Sequence, residues 1–517
     1  MMDATPLLKL YAAARRRALQ GEDAAASQAR QLISLVKRAV HTKFGRDHDF
    51  ARLRDVADYQ AAVPLRCYEA MWREYWQPVF PVLDDCSWPG RIPLFALSSG
   101  TSQGTSKYIP CTQRMNRANS RAGMDLLVHH LANHPDSRVM GGKIFLLGGS
   151  TGLTELAAGI YGGDLSGIAV SRAPVWARRF RFPPPELALI EDWEQKIAVL
   201  SKAVLNEDIR VIAGTPSWLL IFFEHLFAVR PKLPPRLKSF FPNLELLVHG
   251  GVNFAPYRPQ FNVLLEHSKA ETRESYAASE GFVAVADRGP GEGMRLITDN
   301  GIFYEFIPLS ELDNVSPVRH WAANLETGVD YAIALTTCAG LWSYLIGDTV
   351  RFVDHAPPRL VITGRTSYVL SSFGEHLTGE EIETAVAHAA TEIGATVADF
   401  SVGTLFPGEE TPRGGHLYVV EFGAQSPAAE QAKQFTDLID RELCRCNDDY
   451  RVHRSGGFGM DPPRLVAAQK GTFVAWMKSR GRLGGQNKVP RVINDQVLFQ
   501  SLRRFCHDYV ATEAPSG

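Results

Sequence analysis

The stretch RIPLFALSSGTSQGTSKYIP, Arg91 to Pro110, decides how this chain is read. Its apolar run from Ile92 to Leu97 has the length and composition of a buried strand. The run ends in Ser98, Ser99, Gly100, Thr101 and Ser102, and Gly104 and Lys107 follow almost at once. Successive backbone amides in a glycine-rich turn form an anion-binding concavity. Glycine lets the main chain approach a ligand closely, while the hydroxyls and the lysine add donors and positive charge. A polyphosphate suits that chemistry, although the same composition also marks ordinary surface loops. The loop is not a Walker A motif, which needs GxxxxGK[ST]. Gly100 and Gly104 are too close, and Thr105 and Ser106 separate the second glycine from Lys107.

Outward from this loop the chain alternates. Residues 1–80 carry apolar positions at helical spacing, and Arg15–Arg17 read there as a solvated helix face. From Ile92 onward, short apolar runs such as KIFLLGG, IRVIAG and LELLVHGG alternate with helical patterns, which predicts an α/β fold with a largely parallel sheet. Residues 295–365 turn β-rich, and a further β/α segment follows. A boundary near Gly364–Ser367 divides the chain into a large domain, 1–365, and a smaller α+β domain, 366–517.

The 517 residues suffice for more than one core, and the net charge of −1 gives no bulk reason to expect nucleic acid or an anionic membrane. No apolar run reaches the ~18 residues that span a bilayer, and the first twenty residues lack the pattern of a secretory signal. The seven cysteines are scattered without CxxC pairs, which speaks against zinc and disulfide frameworks. Cys444 and Cys446 read as two helix residues. A cytoplasmic location is the expectation.

Further motifs follow the loop in order: SYAASEG (Ser275–Gly281), TTCAGLWSYLIGDTVRF (Thr336–Phe352), ITGRTSYVLSSFGEHLTGEEIE (Ile362–Glu383), QKGTFVAWM (Gln469–Met477) and GGQNKVPRV (Gly484–Val492). With SSGTSQGTSKYIP they resemble the acyl acid amido synthetases, the auxin-conjugating Gretchen-Hagen family of the adenylate-forming superfamily, over about residues 90–495. The resemblance implies a large adenylate-forming domain with mixed sheets and a smaller, mobile C-terminal domain. It implies ATP and Mg²⁺ as cofactors, and small carboxylic acid and amino acid substrates. No nucleic acid, membrane or obligate protein partner is implied.

Residue by residue, the resemblance assigns Ser98, Ser99, Gly100, Thr101 and Ser102 to the phosphates, with Lys107 at the loop's exit. The adenine would lie between Gly250–Gly251–Val252 and Tyr276, with Ala277 and Ser279 beside it. Glu280 would hold the metal, as Mg²⁺ prefers one or two carboxylates plus phosphate oxygens. Asp348 would accept the ribose hydroxyls, and Arg365 would mark the hinge. Lys488 is the candidate mobile cation and Lys470 its rival. Val170, Trp176, Pro216, Ser217 and Leu220 are candidate acyl-pocket residues, although ordinary core suits them as well. The family carries arginine before and after the motif tyrosine; this chain has Ser343 and Leu345.

The expected reaction is adenylation of a carboxylic acid followed by amide formation with an amino acid. One alternative transfers the acyl group to coenzyme A instead. Another is a serine hydrolase, because Gly148–Gly152 spells the nucleophile-elbow pattern G-x-S-x-G around Ser150.

Overall fold

The computed structural model describes residues 3–98, 107–148, 152–172, 175–190, 192–251, 254, 257–312, 314–366, 370, 375, 377–406, 413–423, 427–447, 450–451, 454, 460–482 and 488–512. Contacts divide the chain into two units. One comprises Met1–Val252 and Leu264–Ile362; the other comprises Asn253–Val263 and Thr363–Gly517. The second unit thus takes a short segment from the middle of the sequence, which no contiguous division of the chain anticipates.

The first unit opens with helices, as the periodicity predicts. Arg15 departs from the expected solvated face. It is only 10 % exposed and pairs with Asp125 at 2.7 Å and Asp299 at 2.6 Å, docking the first helix Thr5–Gln20 on the helix Gln113–Asn133. Arg16 and Arg17 do remain exposed. The motif strand Leu94–Ser98 lies in a four-stranded sheet, antiparallel to Lys107–Cys111 and parallel to Ile160–Gly163.

An eleven-stranded sheet forms the body of this unit. In spatial order its strands are Ile302–Pro308, Asp330–Thr337, Tyr344–His355, Pro358–Arg365, Met294–Leu296, Gly281–Val285, Glu271–Ala278, Leu246–Gly250, Ile209–Gly214, Lys143–Leu147 and Arg181–Phe182. Only the last five run parallel. The largely parallel sheet read from the sequence holds for this sheet's strands within residues 143–278; those within 281–365 pair antiparallel, two of the connections, 338–343 and 356–357, being of the short kind that antiparallel neighbours allow, whereas parallel neighbours need a crossover. Apolar residues on both faces, among them Phe303, Ile333 and Leu335 at 0 % exposure, bury the sheet.

The second unit is a four-stranded sheet, Arg464–Ala468, Gly415–Phe422, Val397–Leu405 and Val492–Ile493, with helices on both faces. Alternation along one strand explains this. Tyr418, Val420 and Phe422 join one core with the helices Gly379–Glu392 and Ala429–Cys446. Leu417 and Val419 join another with Trp476, Phe499 and Leu502. Side chains of period two serve two layers. Cys444 and Cys446 close the helix Ala429–Cys446, and all seven cysteines are unpaired. Among the described residues no helix is long and apolar enough to cross a membrane.

Candidate active site

Four parallel strands end side by side. Their register sets Leu147 opposite Gly214, Gly214 opposite His249 and Gly250 opposite Ser275. Ligand crevices of α/β sheets lie at such carboxyl ends. Gly250 belongs there for a steric reason: a Cβ at this position would collide with the Ser275 carbonyl oxygen. Gly251 follows with φ +83°, a left-handed conformation that glycine adopts without strain. Val252 lies outside the described residues.

The next strand carries Tyr276 and the exposed Ala277 before turning. Ser279 and Glu280 form the tip of a tight hairpin in which Ala278 pairs with Gly281. Both tip residues are buried, Ser279 at 9 % and Glu280 at 8 % exposure. A buried carboxylate on a hairpin tip is costly unless a cation or donors meet it. Tyr276 donates its hydroxyl hydrogen to Asp348 Oδ2 at 2.7 Å. That bond joins two strands that are not neighbours in the sheet. Asp348 is presented just after Gly347, φ +85°.

Ser98 and Lys107 are directly paired across their two strands. The intervening Ser99, Gly100, Thr101 and Ser102 lie outside the described residues, but the hairpin brings both ends of the loop together. Lys107 Nζ stands 5.3 Å above the Tyr68 ring, and Tyr68 accepts at its hydroxyl from the Tyr108 amide at 3.0 Å. Burial pushes the Tyr68 hydroxyl up to about 12.

Tyr344 is a participant that the sequence reading passed over. It is fully buried, and its hydroxyl has no hydrogen-bond partner among the described residues. Burial, and after it the charge of Glu280, holds this hydroxyl well above the usual tyrosine range. Tyr344 stood inside a quoted motif, but only the fold brings it near Glu280. Nothing in the sequence signalled Tyr68, forty residues from its partner.

The substituted arginine position has a physical answer. Ser343 is fully buried with φ +44°. It donates to Glu305 Oε2 at 2.6 Å and accepts from Arg319 Nη2 at 2.7 Å. Arg319 in turn pairs with the buried Glu305 at 2.7 Å. A guanidinium thus reaches this spot from another segment of the chain.

Among the acyl-pocket candidates, Val170 lies half-buried on the helix Leu165–Ser171. Ser166 of that helix packs so closely on Gly148 that a Cβ there would come within 2.8 Å of it. Pro216 is buried in the first turn of the helix Pro216–Val229, directly after the strand Ile209–Gly214, and Leu220 is half-buried one turn on. These helices therefore start at adjacent strand ends. The side chains of Trp176 and Ser217 lie outside the described residues. Arg365 ends the strand Pro358–Arg365, after Gly364 at φ +146°. Lys488 and Lys470 are both exposed on the second unit. Ser150 lies outside the described residues, but the hydrolase alternative fails on its surroundings. The element after it is the strand Leu153–Ala157, antiparallel to Ile160–Gly163, where a nucleophile elbow demands a helix.

The chain shares its fold with acyl acid amido synthetases and an acyl-CoA ligase of known structure. It superposes with a TM-score of 0.77 on GH3.15 acyl acid amido synthetase, at 18 % identity over 94 % of each chain. With 2-hydroxyisobutyryl-CoA ligase in complex with 2-HIB-AMP the TM-score is 0.59, at 16 % identity over 96 % of this chain and 93 % of the other. In sequence the chain matches the GH3 family N-terminal domain at residues 17–160 and 151–270, the central domain at 295–365 and the C-terminal domain at 380–497. The chain belongs to the GH3 family. The probable indole-3-acetic acid-amido synthetase GH3.1 of Arabidopsis thaliana is 29 % identical over 226 residues, 41 % of this chain and 36 % of that protein. The chain spans between a third and about half of the length of the curated relatives it matches, 36, 53 and 40 % for three of them.

Proposed function

We propose that this protein is an ATP- and Mg²⁺-dependent ligase that joins a carboxylic acid to an amino acid through an acyl-adenylate. The observation that carries this reading is the Tyr276–Asp348 hydrogen bond beside the Gly250–Gly251 strand end, within a fold shared with acyl acid amido synthetases. Tyr276, Ala277 and the segment Gly250–Val252 would hold the adenine. Asp348, oriented by Tyr276, would accept from the ribose hydroxyls. Ser98–Ser102 and Lys107 would meet the phosphates: Ser98 and Lys107 are paired at the two ends of the loop, and its glycines, hydroxyls and lysine are the residue types that suit an anion.

Glu280 suits a hard cation: it is a buried carboxylate, close enough to the Tyr344 hydroxyl for its charge to act on it, and both offer oxygen. Mg²⁺, when bound, neutralises charge on the phosphate oxygens. In the first step the substrate carboxylate attacks the α-phosphorus, giving acyl-adenylate and pyrophosphate. Such transfers depend mainly on positioning and charge stabilisation, so this site needs no covalent nucleophile. In the second step an amine attacks the activated carbonyl, and AMP leaves. Arg365 would serve the hinge, with Lys488, or Lys470 in its place, as the cation for the transferring group. Val170, Trp176, Pro216, Ser217 and Leu220 would line the acid's site. Cytoplasmic action fits unpaired cysteines throughout.

ATP–pyrophosphate exchange across a panel of carboxylic acids tests the first step, and exchange with none of them would remove the proposal. Trapping the adenylate with amino acids or with coenzyme A then tests the acceptor; amide product is expected, and thioester alone would transfer the reading to an acyl-CoA ligase.

A further inference from the structure

Away from the nucleotide site, the helix Gln113–Asn133 ends beside the start of the strand Glu271–Ala278. His130 lies in the helix's last turn and His134 is its C-cap, so an i, i+4 spacing sets both imidazoles on one face. Glu271 faces them. His130 Nδ1 is 2.6 Å from one carboxylate oxygen, and His134 Nε2 is 3.0 Å from the other. The three potential ligand atoms lie within 4.8 Å of one another.

The bonds around His130 fix its tautomer. Ser137 donates its single hydroxyl hydrogen to Glu245. Its oxygen accepts from the Val139 amide at 3.1 Å and stands 3.0 Å from His130 Nε2. With the serine's hydrogen committed, Nε2 must be the donor. The lone pair of Nδ1 then points at a carboxylate, an arrangement that requires a cation in between, either a proton or a metal ion. A ligating histidine is normally held in this way: an outer acceptor fixes one nitrogen and turns the other inward. Arg273 Nε, 2.6 Å from Glu271 Oε1, steadies the carboxylate and leaves Oε2 toward His134.

We propose that His130 Nδ1, His134 Nε2 and Glu271 Oε2 bind a divalent transition-metal ion of the imidazole-preferring class, such as Zn²⁺ or Co²⁺. Two imidazoles and one carboxylate favour that class over Mg²⁺ and Ca²⁺, which take oxygen ligands. Three protein ligands leave one position for water. Zinc–nitrogen bonds of about 2.0–2.1 Å set tetrahedral ligands about 3.4 Å apart, so the imidazole–carboxylate contacts of 2.6 and 3.0 Å must open slightly to admit the ion. His134, at 46 % exposure, can rotate inward and opens the route from solvent. The ion displaces the proton that His130 Nδ1 shares with Glu271 Oε1, binding that nitrogen and Oε2 instead, and ties the helix to the strand that carries Tyr276. The adjacent Arg273 guanidinium opposes a cation and weakens its binding.

The test is a Co²⁺ titration of the full chain without nucleotide, followed by its visible absorption, and a Zn²⁺ competition against a chromogenic chelator. One equivalent should bind, with a spectrum of tetrahedral nitrogen–oxygen ligation and no displacement by Mg²⁺. His134→Ala and His134→Gln should weaken binding at least about tenfold. His225→Ala, which removes an exposed histidine on another helix, should change nothing. Absence of stoichiometric binding, or equal affinity in the wild type and both His134 variants, overturns the site.

Discussion

Asp164 shows what a single side chain can cost. It precedes the helix Leu165–Ser171 at its N-cap but makes no capping bond, and its Oδ2 is buried without a hydrogen-bond partner among the described residues. Burial raises its carboxyl to about 6, with the charge of Lys196 only partly offsetting the effect. The sign follows from linkage. Below pH about 4 the group is protonated in both folded and unfolded chains. Between about 4 and 6 only the unfolded chain releases the proton, so stability falls as pH rises. Above 6 the full penalty stands, about 2 kcal/mol once solvent screening of the partly exposed side chain is allowed for. Asp164→Asn should therefore stabilise the protein against urea at pH 7.5 and do so much less at pH 4.5. An equal difference at both values would show that ionisation is not the cause.

Elements rather than isolated residues build the candidate nucleotide site. A hairpin turn presents Glu280, the strand Tyr344–His355 presents Asp348 directly after Gly347, and the Tyr276 hydroxyl bonds the strand leading into that turn to Asp348. Tyr276→Phe removes that bond while keeping the ring, so Asp348 loses its orientation. In the exchange assay the KM for ATP should rise about fivefold with kcat nearly unchanged, the cost of one charge-assisted hydrogen bond in part compensated by water. Asp348→Ala should lower kcat/KM about a hundredfold. A KM for ATP unaffected by Asp348→Ala would remove the ribose assignment. The resemblance named Tyr276 and Asp348 separately; that they bond to each other depends on the twist of strands that are not sheet neighbours, and no spacing encodes that.

At the scale of the whole molecule, Arg491 holds together segments that are remote in sequence. It is buried, pairs with Asp399 and with Glu383 at 3.3 Å, and donates to the Tyr257 hydroxyl at 2.8 Å. Tyr257 and the helix Arg258–Leu264 sit in the sequence between two strands of the first unit, yet residues 253–263 belong to the second. Arg491→Met leaves two carboxylates and a hydroxyl uncompensated. It should destabilise the second unit by about 3–5 kcal/mol, read by denaturant unfolding. A loss below about 1 kcal/mol would mean that the network is replaced by water and contributes little.

The sequence by itself determined the kinds of element and much of their order. The helical opening, the strands Ile302–Pro308 to Pro358–Arg365 and the two-faced strand Gly415–Phe422 follow from local periodicity, and periodicity is a property of neighbouring residues. The loop after Ser98 and the motifs around Glu280 and Asp348 were legible because their chemistry is packed into a few consecutive positions. Only the tertiary structure decided that most of the large sheet's first half is antiparallel, that Arg15 is half-buried in ion pairs, that Tyr344 lies near Glu280, and that Arg319 reaches Ser343. Each of these pairs groups far apart in the chain, and whether a charge is solvated or buried depends on which distant surface closes over it.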